Sequence, residues 1–251
     1  MNRLESDSLV YADETLDNLR PGGLKIIQKS DGYRFSIDPV LLCAFARIEE
    51  GDMVADLGTG SGVISLLLAV RTSAKRVVGV EFQSELASRA RRSVHLNGLE
   101  EKVEILEGDV RVLPKSLAPQ SFDVVLSNPP YRRAGTGRKA PAAERAAARH
   151  ELAGGLEDFL RAAVGMLRHG GRFYIVYLAE RLAELLSMMR RERLEPKRLR
   201  CVHSRAGEGA RMVLVEGRKG GGEGLSIEPP LFIYDGEKYT EEVLGMYGEA
   251  R

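Results

Sequence analysis

Residues 53–70 read MVADLGTGSGVISLLLAV. Met53 to Leu57 form a short apolar run interrupted by Asp56, and Val63 to Val70 is almost wholly apolar. Between them stand Gly58, Gly60 and Gly62. A strand that turns through alternate glycines into a helix is the opening unit of a βα-repeat sheet. Glycine lets the backbone approach a ligand there and lets the helix pack close to the sheet. The spacing is G-x-G-x-G with an Asp two residues ahead, not the G-x-G-x-x-G of dinucleotide folds. The chain has no G-x-x-x-x-G-K-[S/T] loop for a nucleoside triphosphate.

The alternation continues outward from this turn. RVVGVE (76–81), KVEILEGD (102–109), FDVVLSN (122–128) and RFYIVYL (172–178) read as strands. Helical periodicity falls in residues 61–70, 83–98, 156–171 and 179–194, the second stopping at Asn97-Gly98 and the third at a Gly pair. KRLRCVHS (197–204) and ARMVLVEGRK (210–219) have no helix between them and are predicted to pair antiparallel. Upstream, LKIIQKSDGYRFS (24–36) has two strand-like runs about Asp31-Gly32, which predicts a hairpin. IDPVLLCAFARI (37–48) predicts a helix capped by Asp38, with Pro39 in its first turn. Residues 1–14 read as loose, and KGGGEG (219–224) as a flexible linker. The predicted fold is α/β, a doubly wound, mostly parallel seven-stranded sheet. The hairpin and helix occupy 1–50, the main domain 51–218, and the linker and a tail packed on that domain 219–251.

Composition narrows the classes. Of 251 residues, 43% are hydrophobic, enough for a large core, and the formal net charge of +1 confines any polyanion site to a local patch. Cys43 and Cys201 lie far apart, and the four His match no zinc spacing, so no metal is expected. The start MNRLESDSLV is polar and acidic, unlike a secretion leader, and no apolar run approaches the ~20 residues that span a membrane. The expectation is a soluble, cytoplasmic protein without membrane partners; oligomeric state is not legible.

Ligands of such sheets lie beyond the carboxyl ends of the strands. Asp56 and Thr59 belong to the glycine turn, and Glu81 ends the second strand with Phe82 behind it. A carboxylate at that strand end can accept from ribose hydroxyls. Asp109, after the third strand, can accept from an adenine amine while the Val110 N–H donates to the ring. Three carboxylates with no basic residue in the loop repel a pyrophosphate and suit a nucleoside cation such as a sulfonium. This layout resembles the class I S-adenosylmethionine-dependent methyltransferases, with S-adenosylmethionine as the implied cofactor.

The fourth strand ends in LSNPPYRRAG (126–135). Pro129 holds Asn128 out of helical angles and Pro130 does the same to Pro129, giving a rigid extended corner. The Asn128 side-chain oxygen and the Pro129 carbonyl then form a fixed pair of acceptors, which is what a planar amine needs. An exocyclic adenine amine is a poor nucleophile because its lone pair is delocalised. Accepting both N–H bonds draws the nitrogen toward tetrahedral shape and aims the lone pair, without a prior general base. Tyr131 offers an aromatic face for the base. A proline stop with Tyr131 covering the core edge is the plain structural alternative. Downstream, Arg132, Arg133, Arg138, Lys139, Arg145 and Arg149 face a single acid, Glu144, across 132–149. Beside a base pocket this is a candidate RNA-backbone flap, against the default of a solvated charge run. Arg89, Arg91, Arg92 and the basic residues of 190–200 read as solvated helix faces.

DGYRFSIDPVLLCAF (31–45), DLGTGSGVISLLLA (56–69), NPPYRRAG (128–135) with ARHE (148–151), and EPPLFIYDGEKYTEEV (228–243) together resemble the bacterial tRNA(Val) adenine-N(6) methyltransferases. The resemblance runs from about 15 to 247. It implies methylation of the adenine beside the anticodon, with a tRNA partner. It assigns Asp56, Gly58, Glu81 and Asp109 to the cofactor and Asn128 to the amine, with Phe35 and Asp38 closing the cofactor pocket. The rivals are a release-factor glutamine methyltransferase, which shares NPPY but carries a helical domain in front, and another rRNA or DNA amino-methyltransferase. A DNA enzyme normally needs a large recognition insert. A vestigial RNA-binding module is the non-enzyme alternative, and an intact NPPY disfavours it.

Overall fold

The computed structural model describes residues 9–19, 23–31, 35–131 and 154–248. In chain order the elements are β1 (Glu14–Leu19), β2 (Leu24–Lys29), α1 (Asp38–Phe45), β3 (Met53–Leu57), α2 (Val63–Arg71), β4 (Arg76–Glu81), α3 (Ser84–Leu96), β5 (Val103–Glu107) and β6 (Phe122–Ser127). Then follow α4 (Leu156–Met166), β7 (Leu167–Leu178), a short 3-10 turn, α5 (Leu182–Arg191), β8 (Leu194–His203) and β9 (Ala210–Lys219). The tail adds β10 (Ser226–Ile227), β11 (Leu231–Phe232), β12 (Tyr234–Asp235), β13 (Lys238–Tyr239) and α6 (Glu241–Met246).

The main sheet runs β10-β8-β9-β7-β6-β3-β4-β5, with β11 also on β8. From β7 to β5 all pairs are parallel, and β9 runs antiparallel to both β7 and β8. Seven long strands form the α/β sheet the sequence predicts, and the tail extends it by two residues at a time along β8. Strand alternation distributes side chains to the two faces. Val54, Val77, Val124 and Leu126 join one core with α1, α2 and α3. Ala55, Leu57, Val78, Val80 and Val125 join the other with α4 and α5. Leu231, Ile233 and Val243 of the tail belong to the first core. The chain steps outward from β3 to β4 and β5 on one side and to β6 and β7 on the other. β3/β6 is therefore the switch point, where such sheets open a ligand crevice.

Four local expectations change. The hairpin partner of β2 is β1, in register from Glu14↔Lys29 to Leu19↔Leu24, and Phe35 and Ser36 are not strand. Gly32 of the expected turn lies outside the described residues. The helix after Leu156 ends at Met166, because pairing with β6 and β9 draws residues 167–178, Gly pair included, into β7. KGGGEG is tied down: the Gly220 N–H donates to the Arg193 carbonyl at 3.1 Å and Lys197 Nζ to the Gly222 carbonyl at 3.0 Å.

The fourth concerns Arg89 and Arg92 of α3, which are not solvated, whereas Arg91 is exposed as expected. Arg89 Nε and Arg92 Nη1 reach Glu14 at 3.0 and 2.6 Å, and the Glu14 side chain is 2% exposed. Arg91 Nε donates to the Ile105 carbonyl. The Ile27 N–H donates to Ser93 Oγ at 3.0 Å, and Asn97 both accepts from Lys25 N–H and donates to its carbonyl. The hairpin is thus bolted to α3 by buried charge and backbone hydrogen bonds. No described helix is long and apolar enough to cross a membrane.

Candidate active site

Parallel register sets the site. Leu57 of β3 stands beside Val80 of β4 and Ser127 of β6, so Gly58, Glu81 and Asn128 leave the sheet on one edge. The Ser127 hydroxyl donates to the Leu57 carbonyl at 3.0 Å and ties the two strand ends. The N–H groups of Gly58 and Thr59 both donate to the Val80 carbonyl, folding the turn over β4.

The turn needs its glycines. Gly58 has φ +73°, and a side-chain carbon there would stand 3.0 Å from the Phe159 ring. Left-handed backbone and close approach both exclude larger residues. Gly60 differs: at φ +59° a side-chain carbon would meet nothing within 4 Å, so open space lies over the middle of the turn.

Asp56 lies beneath that turn, fully buried. Its Oδ2 accepts from the Thr59 hydroxyl at 2.5 Å and the Ser65 hydroxyl at 2.9 Å, and its Oδ1 is buried without a hydrogen-bond partner. Burial pushes its carboxyl up to about 6, against the two hydroxyls. Glu81 is 5% exposed, with Oε2 accepting from Gly60 N–H at 2.9 Å and Oε1 from Gln83 N–H at 2.8 Å. Burial raises its carboxyl too, opposed by these backbone donors. Each carboxylate oxygen retains acceptor capacity after one such bond.

Asp109 is less open than the sequence implies. Arg111 grips it bidentately, with Nε 2.9 Å from Oδ1 and Nη2 2.5 Å from Oδ2, and also donates its backbone N–H. That hydrogen-bonded guanidinium holds the Asp109 carboxyl below its ordinary value. The Arg111 guanidinium carbon lies 6.0 Å from the Phe82 ring centroid, so Phe82, Asp109 and Arg111 form one wall. The Val110 side chain is buried in the second core. The glycine turn itself holds no base, but the site is less acidic than three free carboxylates.

The Asn-Pro-Pro-Tyr corner follows β6. Pro129 is buried, while Asn128, Pro130 and Tyr131 are half-buried. Tyr131 packs edge-on against Tyr177, centroids 5.8 Å apart, and its carbonyl accepts from Arg181 Nη1 at 3.0 Å. Arg181 also lies 4.9 Å over the Tyr177 ring and pairs with Glu184. The Tyr131 hydroxyl is 2.6 Å from Asn128 Oδ1 and 3.1 Å from Asp38 Oδ2.

Asp38 is therefore not the cap of α1. Ile37 holds that position without a side-chain bond, and Asp38 is the first helical residue, 7% exposed and facing Tyr131. Phe35 packs partly buried against the first core, its N–H donating to Gln28 Oε1 at 3.0 Å. Arg132, Arg133, Arg138, Lys139, Arg145 and Arg149 lie outside the described residues. Sequence reasoning missed Ser65, Phe159, Arg111 and Arg181. Arg111 was within reach as a base two residues after Asp109. Arg181 had no local signal, since its contact with Tyr131 spans 50 residues.

The glycine turn, the buried Glu81 and the Asn-Pro-Pro-Tyr corner lie together at the carboxyl end of the parallel strands, the arrangement expected of a methyltransferase that acts on nitrogen. A family model described as a methyltransferase domain matches residues 48–226. A tRNA1(Val) (adenine(37)-N6)-methyltransferase of Aeromonas hydrophila subsp. hydrophila is 34% identical over 181 residues, 71% of this chain and 73% of that protein. One of the same name from Porphyromonas gingivalis is 31% identical over 199 residues, 77% of each. A crystal structure described as a predicted O-methyltransferase from Agrobacterium tumefaciens superposes with a TM-score of 0.69 at 26% identity, covering 85% of this chain and 96% of that one. The chain belongs to the methyltransferase-domain family and, within it, to the tRNA1(Val) (adenine(37)-N6)-methyltransferases.

Proposed function

We propose that this chain is an S-adenosylmethionine-dependent methyltransferase that modifies the exocyclic amine of an adenine in tRNA, beside the anticodon of a valine tRNA. The observation that carries the reading is the position of the Asn128-Pro129-Pro130-Tyr131 corner, one strand from the Gly58–Gly62 turn and tied to it by the Ser127 hydroxyl on the Leu57 carbonyl.

The residues present fit the cofactor. Open space over Gly60, the unpartnered buried Asp56 Oδ1 and the spare acceptor capacity of Glu81 offer room, negative charge and hydroxyl acceptors to a cationic nucleoside. Bound there, S-adenosylmethionine supplies a methyl group on a sulfonium. Glu81, held by Gln83 N–H, would accept from its ribose hydroxyls, and Asp109, steadied by Arg111, would accept from its adenine amine. Asn128 Oδ1 and the Pro129 carbonyl accept the two N–H bonds of the substrate amine and aim its lone pair. The nitrogen–carbon bond would form as the sulfur–methyl bond breaks, and one amine proton would then be released to solvent. Tyr131 supports the base by its ring, held against Tyr177. The six basic residues of 132–149 supply RNA-backbone contacts, a share of affinity that falls steeply with salt.

Asn128→Ala tests the reading. Removing the acceptor acts on the amine and not on the cofactor. Methyl transfer is expected to fall by at least ~100-fold, in line with losing one preorganised oxyanion-type contact. Cofactor affinity by calorimetry is expected to stay within about threefold, with ~1.4 kcal/mol marking tenfold. Full activity in the variant would refute the role of the corner.

A further inference from the structure

Arg181 stands at the far end of the Asn-Pro-Pro-Tyr corner. It belongs to the 3-10 turn that follows β7, the strand paired with β6, where Ile175 lies opposite Ser127. Glu184 takes two of its donors, Nε on Oε2 and Nη2 on Oε1, both at 2.9 Å. The third nitrogen, Nη1, donates to the Tyr131 carbonyl at 3.0 Å. The same guanidinium lies 4.9 Å over the ring of Tyr177, a buried residue that meets the Tyr131 ring edge-on. Arg181 therefore holds the Tyr131 backbone directly and its ring through Tyr177.

The prolines alone do not complete the corner. Their rings fix φ at 129 and 130 but leave ψ of Pro129 a window of about 40°. A swing across that window moves the Pro129 carbonyl oxygen by roughly 0.7 Å. The near end of the corner is held by the β6 ladder and by the Ser127 hydroxyl on the Leu57 carbonyl. We propose that Arg181 is a positioning residue that pins the far end, so that the Pro129 carbonyl and Asn128 Oδ1 meet the substrate amine in one geometry. The proposal rests on the adenine-amine reading above. Asn128 belongs to the same unit: its Oδ1 lies 2.6 Å from the Tyr131 hydroxyl and, as a carbonyl oxygen, has a second lone pair for the amine. Arginine suits the role because its planar fork holds a carboxylate with two nitrogens and donates with the third. Because Arg181 acts through Tyr131, its loss falls on alignment, and so on kcat, with cofactor binding spared.

The test compares variants of the full-length chain, assayed with labelled S-adenosylmethionine and a tRNA transcript. A displacement of about 1 Å costs on the order of 100-fold, so Arg181→Ala is expected to lower kcat about 30-fold. Its KM for tRNA is expected to stay within about threefold. Its cofactor Kd by calorimetry is expected within about twofold, at unchanged binding stoichiometry, which separates lost alignment from a share of unfolded chains. Arg181→Lys keeps the charge over Tyr177 but cannot hold Glu184 and the carbonyl together. It is expected to recover part of the rate, with kcat down about fivefold, and is read the same way where Arg181→Ala does not fold. Glu184→Gln is expected to lower kcat about threefold alone and by less than about 1.5-fold in the Arg181→Ala background. Unaltered kcat in Arg181→Ala would overturn the proposal. So would a loss of cofactor affinity or stoichiometry as large as the loss of kcat, or a Glu184→Gln effect of equal size in both backgrounds. If the unaltered chain transfers no methyl group to tRNA, the adenine-amine reading falls, and the proposal with it.

Discussion

The Gly60 N–H donates to the Glu81 carboxylate at 2.9 Å, joining the middle of the glycine turn to the end of the neighbouring strand. Turn and strand end are thus one unit. The carboxylate proposed to meet the cofactor is held by the backbone it helps to shape, since Gln83 N–H fixes its other oxygen at 2.8 Å.

The first expectation follows from that pair. Glu81→Gln keeps the shape but replaces one acceptor oxygen by a donor and removes the charge. Hydrogen bonds to charged groups contribute ~1.5–3 kcal/mol each, so cofactor affinity is expected to weaken about 10- to 100-fold. Calorimetric titration of the variant measures it, and an unchanged Kd would remove Glu81 from the cofactor site.

The hairpin clamp sets the second. Glu14 is nearly sealed from solvent between Arg89 and Arg92, and the Arg92 hydrogen bond is the largest influence drawing its carboxyl down from 4.5 to about 2. Glu14→Gln removes the counter-charge that Arg89 and Arg92 share and leaves Arg89 only the 3.6 Å contact to exposed Glu85, a change expected to cost ~3 kcal/mol of folding stability. The sign of the pH effect follows from a depressed folded value. The contribution is complete above about pH 4.5 and fades as pH falls toward about 2. Denaturant melts of both chains at pH 7 and at pH 3 check it: the gap between them should shrink at the lower pH.

Asp56 acts in the opposite direction. Burial raises its carboxyl from 3.8 to about 6, so the folded chain holds this proton more tightly than the unfolded one. Its contribution is greatest below about pH 3.8 and is lost as pH rises through about 6. Between pH 5 and pH 7 the cofactor-free protein should therefore melt at lower temperature as pH rises. Asp56→Asn, which cannot ionise, should flatten that slope. A variant with an undiminished slope would show that the buried carboxyl is not its source.

How far the sequence reached depends on the range of each interaction. The glycine turn, Glu81 and the Asn-Pro-Pro-Tyr corner were legible because each is a local pattern whose place at a strand end follows from βα alternation. Asp38 was misread for the same reason. An Asp ahead of a Pro at a helix start is the local signature of a cap, whereas its partner, Tyr131, lies 93 residues away. Arg89 and Arg92 looked solvated on a highly charged helix until the fold brought Glu14 to them from 75 and 78 residues upstream. β7 took the end of the α4 pattern because two neighbouring strands outweigh the helical propensity of a few residues ending in a Gly pair.

In the proposed function the corner after β6 presents an adenine amine of tRNA to a methyl donor held by the glycine turn. The most direct measurement incubates the purified chain with labelled S-adenosylmethionine and, separately, with tRNA lacking the modification, DNA and a release factor. The tRNA is then digested to nucleosides and analysed by mass spectrometry. N6-methyladenosine formed in the tRNA, and abolished by Asn128→Ala, is the expected result. Label appearing only in the release factor or the DNA, or a methylated nucleoside other than N6-methyladenosine, would contradict the account.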